Sequence, residues 1–296
     1  MLEKTQSTEI ENIYNRNKNK YILEKVSKNI FFISSLIAVL SLLLIIGFVF
    51  YKGLTPFIFK GYSFIDFFTG SDWLPGSDKF GIATMVVASI VATVGALIIG
   101  VPIGILTAVF IAEVAPKKVA KIISPAVELL AGIPSVLYGI FGLAVIVPNI
   151  QNIFNLPKGQ SLLAVIIVLS IMMLPTIISV SETAIRAVPK AYKEGSLALG
   201  ASKIETIFKV VLPAAKSGIL AAVVLGIGRA LGETMAVILV AGNSPVMPSS
   251  LMDSVRPLTT NIALEMGYAF GTHQEMLFAT GVVFIYIHTN IKLSIK

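Results

Sequence analysis

Two ionisable residues four positions apart interrupt an otherwise apolar run: Arg229 and Glu233, within Ile227-Gly-Arg-Ala-Leu-Gly-Glu-Thr-Met-Ala-Val237. A helix places residues i and i+4 on one face, and Gly226, Gly228 and Gly232 thin the helix around them. An arginine at the centre of a bilayer costs at least about 2.5 to 3.5 kcal/mol on insertion scales, so it needs partners or a polar pathway. Two arrangements meet that need. In one, Arg229 and Glu233 pair with each other or with another helix and fix bundle packing. In the other, the guanidinium offers paired donors to an oxyanion in transit, and Glu233 tunes how tightly the anion is held. A further carboxylate, Glu128, lies about 10 Å into a second apolar run if that helix starts near Lys121, at ~1.5 Å per residue. It is expected to face the protein interior.

Other chemistries find little support. The chain has no cysteine, and its only histidines are His273 and His288, so a thiolate metal site is impossible and a histidine cluster is effectively excluded. An intramembrane enzyme needs a nucleophile and a base, whereas the apolar runs hold only His288, at a frayed end, and no acid pair close in sequence. No catalytic residue, metal or cofactor is therefore expected. The Gly-x4-Gly-Lys-Ser/Thr phosphate loop is absent too, so any ATP hydrolysis must occur on a partner.

The elements that position these residues are membrane helices. Of 296 residues, 55% are hydrophobic and 13% charged, with mean hydropathy +0.88, far from the roughly 25% charged residues of soluble chains. Crossing the hydrocarbon takes about 20 helical residues. Six runs meet that length, near 30–51, 83–112, 122–148, 162–181, 214–241 and 274–291, the last being weakest because His288, Thr289 and Asn290 interrupt it. The expected fold is all-α and polytopic with about six spans: residues 1–29 form a mobile tail leading to a short interfacial helix, and 30–296 form the membrane domain. The apolar stretch from Ile30 is too long for a signal peptide, so it is expected to remain as the first span. A net charge of +7 would suggest nucleic acid in a soluble protein; here its distribution matters more. With a cytoplasmic N-terminus, 17 of the 23 basic residues fall on inside segments and five outside. The excess of basic residues on inside segments puts both termini, and the 182–216 loop, in the cytoplasm. Phe67, Phe68, Trp73 and Phe80 in the external 52–81 loop suit the membrane interface. A short helix over 257–268 is expected to lie across the external mouth.

That inside loop carries its own signals. Pro189 suits the first position of a helix and Gly200 the left-handed residue just past a helix end. Ser202 and Glu205 form a capping box that restarts a helix. Tyr192, Gly195, Ser196 and Leu199 share one stripe, away from Lys190, Lys193 and Glu194. The second helix ends before Leu212-Pro213, which opens the next apolar run, so the corner is mechanically tied to the helix that holds Arg229.

These residues carry a resemblance. Glu194-Gly195-Ser196, Gly200 and Val210-x-Leu212-Pro213 resemble the EAA-x3-G-x9-I-x-LP coupling loop of ABC-importer permeases, which docks into a cleft of a cytosolic ATPase. Gly195 and Ser196 stand where the family has alanines, and Val210 where it has isoleucine. Glu128 to Gly139 (ELLAGIPSVLYG) and Arg229 to Val237 (RALGETMAV) are similar to signatures of the phosphate-importer permeases. Trp73, Pro75, Phe80-Gly81-Ile82, Thr259 to Ala263, Glu265 and Gly267 add to the match, which favours the PstC type over the PstA type and covers most of 68–291.

The resemblance implies a type I ABC-importer permease of a prokaryotic inner or plasma membrane. It implies Arg229, Glu233 and Glu128 along the substrate pathway, and Glu194, Gly195, Ser196, Leu199, Gly200, Leu212 and Pro213 in the coupling loop 189–213. The implied partners are a PstA-like second permease, a PstB-like ATPase dimer, a PstS-like phosphate-binding protein, phosphate and the lipid bilayer, with no nucleic acid. Sulfate or molybdate permeases share the coupling loop and are the nearest rivals. A secondary transporter or channel would use Arg229 and Glu233 for a coupling ion; uptake without ATP that collapses with the ion gradient would mark it. Turnover by the purified chain alone would mark an enzyme acting on lipid phosphates.

Overall fold

Apolar periodicity without a single convincing strand run leads to a helical chain, as the computed structural model shows. It describes the backbone of residues 2–294 and the side chains of 20, 21 and 23–291. The chain divides into two compact units, residues 1–52 and 53–296. The described residues of the first unit lie within helix α1 (Leu2–Phe59). From Ile30 to Ile45 its side chains are exposed, as expected of a helix apolar all round whose solvent is lipid. Because α1 runs unbroken from Leu2, no backbone break marks the expected division into a tail and a separate interfacial helix.

In the second unit, α2 (Phe64–Thr69), a two-residue hairpin of β1 (Trp73–Leu74) and β2 (Lys79–Phe80), and α3 (Ala83–Val109) come first. Then follow α4 (Lys117–Ala131), α5 (Ser135–Phe141), α6 (Val147–Ile153) and α7 (Leu162–Arg186). The loop helices are α8 (Lys190–Ala198), α9 (Lys203–Thr206) and α10 (Leu212–Ala214). The chain closes with α11 (Lys216–Gly232), α12 (Met235–Val240), α13 (Leu258–Glu265) and α14 (Thr272–Ser294). Wider π-helical turns extend three of these, at Phe110–Val114, Gly142–Ile146 and Ile207–Val211.

The centre of the bundle is α3 against α7. Gly95, Gly100 and Gly104 leave room on α3 for Ile166, Met173 and Ile177; a Cβ at any of the three would fall 2.6 to 2.7 Å from those side chains. Small residues are how membrane helices come close, since lipid offers no hydrophobic drive between them. Around this seam, Ala92, Ala96, Val165, Leu169, Met173, Ala236 and Val240 form one buried cluster.

Among the described residues, four helices are long and apolar enough to cross a bilayer, and a bent pair raises the number to five. The difference from six has physical causes. The third expected span is split, because Gly132-Ile133-Pro134 ends α4 before α5 begins, and only Ser135–Ile153 qualifies by itself. The fifth is the bent pair, turned by 70° between Lys203–Ala214 and Lys216–Gly232. The sixth expected span corresponds to the 23-residue α14, which carries the polar residues Gln274, Glu275, His288 and Asn290.

The aromatics of the 52–81 segment also differ from expectation. Phe67, Trp73 and Phe80 are buried, packed with Met85, Leu258, Met276 and Leu277 rather than turned to the membrane interface; Phe68 alone is exposed. The expected 257–268 helix is present as α13.

Candidate functional site

Arg229 sits three residues before the end of α11 and is half-buried. Its Nη1 donates to Thr176 Oγ1 of α7 at 3.2 Å. Among the described residues it forms no ion pair, so the first of the two arrangements, a pairing with Glu233, is absent. The reason lies in the backbone. The helix stops at Gly232, and Glu233 is extended, with φ −70° and ψ 129°. The i, i+4 geometry that would have aligned the two residues no longer exists beyond that point.

Glu233 instead starts the next helix. Its Oε1 accepts the Ala236 amide at 3.0 Å, placing a negative charge over the unsatisfied N–H groups of α12, where the helix dipole favours it. Its own carbonyl accepts from Thr259 Oγ1 at 3.1 Å. Glu233 and Thr259 border a small void with Ser89 and Thr93. Ser89 Oγ in turn accepts the Leu258 amide at 3.0 Å. A broken span whose ends are satisfied by side chains is the form in which irregular backbone is tolerated at membrane depth.

Around Arg229, α5 closes against α12. At Gly139 a Cβ would lie 2.8 Å from the Ala236 Cα, so only glycine permits this approach. One residue earlier, Tyr138 is buried and donates to the Leu130 carbonyl at 2.8 Å, within electrostatic range of the Arg229 guanidinium. Glu128 departs from expectation. It is exposed on α4 and makes no hydrogen bond or ion pair with the described residues. It does not turn into this chain's core, because α4 buries only Ala120 and Val127.

The loop residues stand where their local chemistry puts them. Pro189 caps α8 rather than opening it. Gly200 is left-handed at φ +87°, a conformation that a Cβ disfavours. Ser202 and Glu205 exchange both bonds of the capping box. Ser196 Oγ meets Thr206 Oγ1 at 2.9 Å and fixes the corner, and Lys193 pairs with Glu113 at the end of the α3 π-turn. No residue of α8 is buried. Tyr192 is 55% exposed and Leu199, just past its end, 91% exposed. Glu194 and Gly195 are exposed, Ser196 is partly covered, and Leu212 and Pro213 open α10 in line with the bent span.

Sequence reasoning missed the role of Thr176, whose only hint was its place after Pro175 in an apolar run. It also missed a buried charge network that ties Trp73 to residues 256–273. The Glu265 carboxylate, 8% exposed, accepts from Trp73 Nε1 at 2.7 Å and Arg256 Nη1 at 2.7 Å and meets His273 Nε2 at 2.8 Å. Arg256 also reaches the Asn243 carbonyl at 2.8 Å. Nearby, Asp253 accepts from Ser249 and Ser250, and those hydrogen bonds, the Ser249 amide first, hold its carboxyl below the usual carboxylate range.

The model for the family described as "Binding-protein-dependent transport system inner membrane component" matches residues 100–293. The chain is 44% identical to the probable ABC transporter permease protein YqgH of Bacillus subtilis, over 79% of this chain and 77% of that protein. It is 34% identical to the phosphate transport system permease protein PstC of Pasteurella multocida, over 80% of this chain and 78% of that one. Among solved structures, a bacterial alginate ABC transporter in complex with an alginate pentasaccharide-bound periplasmic protein includes a chain with TM-score 0.57 and 21% identity. That match covers 88% of this chain and 92% of the other, a likeness of fold.

Proposed function

Because the chain belongs to the family of binding-protein-dependent transport system inner membrane components, we propose that it is the membrane permease of an ATP-driven importer of inorganic phosphate. The fold is that of a type I ABC-importer permease, a multi-pass protein of the inner membrane. Such a subunit works with an ATPase and a substrate-binding protein and is not itself an enzyme. The finer reading assigns it a PstA-like second permease, a PstB-like ATPase dimer and a PstS-like phosphate-binding protein, with both termini in the cytoplasm. Relatives named as phosphate transport permeases support it, as do the 128–139 and 229–237 stretches.

One observation carries the substrate class. Arg229 is a half-buried cation in a membrane helix whose hydrogen bond goes to a neutral hydroxyl, not to a carboxylate. A guanidinium held in place but not neutralised is a site waiting for an anion, because an uncompensated charge in low dielectric is costly. Its planar fork suits two oxygens of one phosphate. Glu233, on the other side of the helix break, then has a role for its second oxygen: accepting the P–OH of hydrogen phosphate, a proton that sulfate lacks at neutral pH.

The mechanism follows from the mechanical path. Closure of two ATPase subunits presses on α8, and the Ser196 to Thr206 contact passes the movement to α9 and through the π-turn to Leu212-Pro213. The bent span above pivots, and the α11 end bearing Arg229 turns toward one side of the membrane and then the other. Glu128, exposed on α4, meets the second permease across the shared pathway.

The test is uptake by the reconstituted four-component complex in vesicles. Phosphate accumulates only with ATP inside the compartment of the ATPase, and sulfate does not. Uptake that persists without ATP and collapses with the ion gradient would instead establish a secondary transporter.

A further inference from the structure

A basic groove between the start of α4 and the end of α7 has no part in the pathway above. It is a cavity of about 430 Å³ bordered by Lys117, Ala120, Lys121 and Ser124 on α4 and by Glu182 and Arg186 on α7. Residues 117, 121 and 124 repeat at helical spacing, so they share one face. Lys117 and Lys121 have no ion-pair partner among the described residues.

The single carboxylate is already committed. Glu182 Oε1 accepts from Arg186 Nε at 2.9 Å and from Ser124 Oγ at 3.0 Å. Arg186 Nη2 donates to the Ile111 carbonyl at 3.2 Å. The guanidinium is thus fixed, with Nη1 left to donate, beside two ammonium groups that no protein anion balances. The groove lies where two spans end: Arg186 is the last residue of Leu162–Arg186, and Lys117 follows three residues after the span ending at Val114. That is the depth of lipid headgroups.

We propose that this groove binds a phosphate group, carried by an anionic lipid head or free as the inorganic anion; its position at two span ends favours the lipid. Basic pockets between membrane helices at this level suit such heads. A bound head joins the ends of α4 and α7 immediately before the 189–213 loop, and so stiffens the base from which that loop moves.

The test uses the complete transporter in nanodiscs of equal parts phosphatidylcholine and phosphatidylglycerol, wild type against the Lys117→Gln/Lys121→Gln double variant, with retained lipid read by native mass spectrometry. Inorganic phosphate is then titrated in discs of phosphatidylcholine alone. The expected result is phosphatidylglycerol bound about 30-fold more weakly by the double variant and recovered by Lys117→Arg/Lys121→Arg, with no variant-sensitive phosphate binding. Phosphate binding that weakens in the double variant, without retained phosphatidylglycerol, assigns the groove to the free anion. Equal retention and equal phosphate binding by wild type and variant, or neither ligand on the wild type, overturns the proposal.

Discussion

Glu233 has one oxygen engaged and is proposed to use the other for substrate. Oε1 caps α12 through the Ala236 amide, and the account gives the second oxygen to substrate. Glu233→Gln keeps an acceptor for the cap but removes the charge, so the account expects an assembled complex of near-normal stability whose preference for phosphate over sulfate narrows by roughly tenfold, about one hydrogen bond to a charged group. Competition between the two anions during ATP-driven uptake measures it, and unchanged exclusion of sulfate would remove the second role. The types and positions of Arg229 and Glu233 were legible in the sequence, since charge in a membrane run is costly and rare. Their separation was not. Gly232-Glu233-Thr234 inside an apolar run reads as continuous helix, and what ends the helix there involves a hydroxyl from Thr259, 26 residues away. Glu128 is exposed on α4 for a related reason: its depth follows from the sequence, but the face that α4 buries, through Ala120 and Val127, does not.

At the scale of elements, the corner made by α8 and α9 was the most legible part. Its capping box, its left-handed Gly200 and its apolar stripe are all written within a few residues, and local signals of this kind survive folding. The external loops were least legible, because Phe67, Trp73 and Phe80 are held by residues far along the chain, and aromatics near a membrane fit an interface equally well. The Glu265 network supplies a test. Glu265→Ala leaves Arg256 buried beside an uncompensated site, so it is expected to cost about 3 to 5 kcal/mol, read as a lowered thermal midpoint of the solubilised protein. A midpoint within the error of wild type would show that the external loops are held mainly by the apolar cluster. The Asp253 turn adds a pH signature. Its folded pKa lies below the unfolded value, so its contribution is present above the unfolded value and is lost as pH falls through the folded one. The protection of the Ser249 and Ser250 amides, measured as the exchange rate relative to the intrinsic rate at each pH, should fall at acid pH for that reason, and constant protection across that range would count against it.

For the whole molecule, the proposed function requires an exposed loop to govern a distant guanidinium. Composition alone established a membrane protein, and the positions of basic residues gave an orientation; the number of spans was harder, because breaks at Gly132 to Pro134 and Glu233 to Thr234 turn long apolar runs into shorter helices. Leu199, 91% exposed, is expected to be covered in the assembly: Leu199→Cys should crosslink to the ATPase subunit in the intact complex, with a yield that changes between nucleotide-free and ATP-bound states. A cysteine there that reacts only with reagents on the external side would reverse the assigned orientation.

The most direct measurement is ATP-dependent phosphate uptake by the reconstituted complex carrying Arg229→Gln. Losing hydrogen bonds from a charged donor is expected to lower uptake roughly 10- to 100-fold, while the ATPase still assembles and hydrolyses ATP. Uptake at the wild-type rate would contradict the claim that this guanidinium lies in the anion's route.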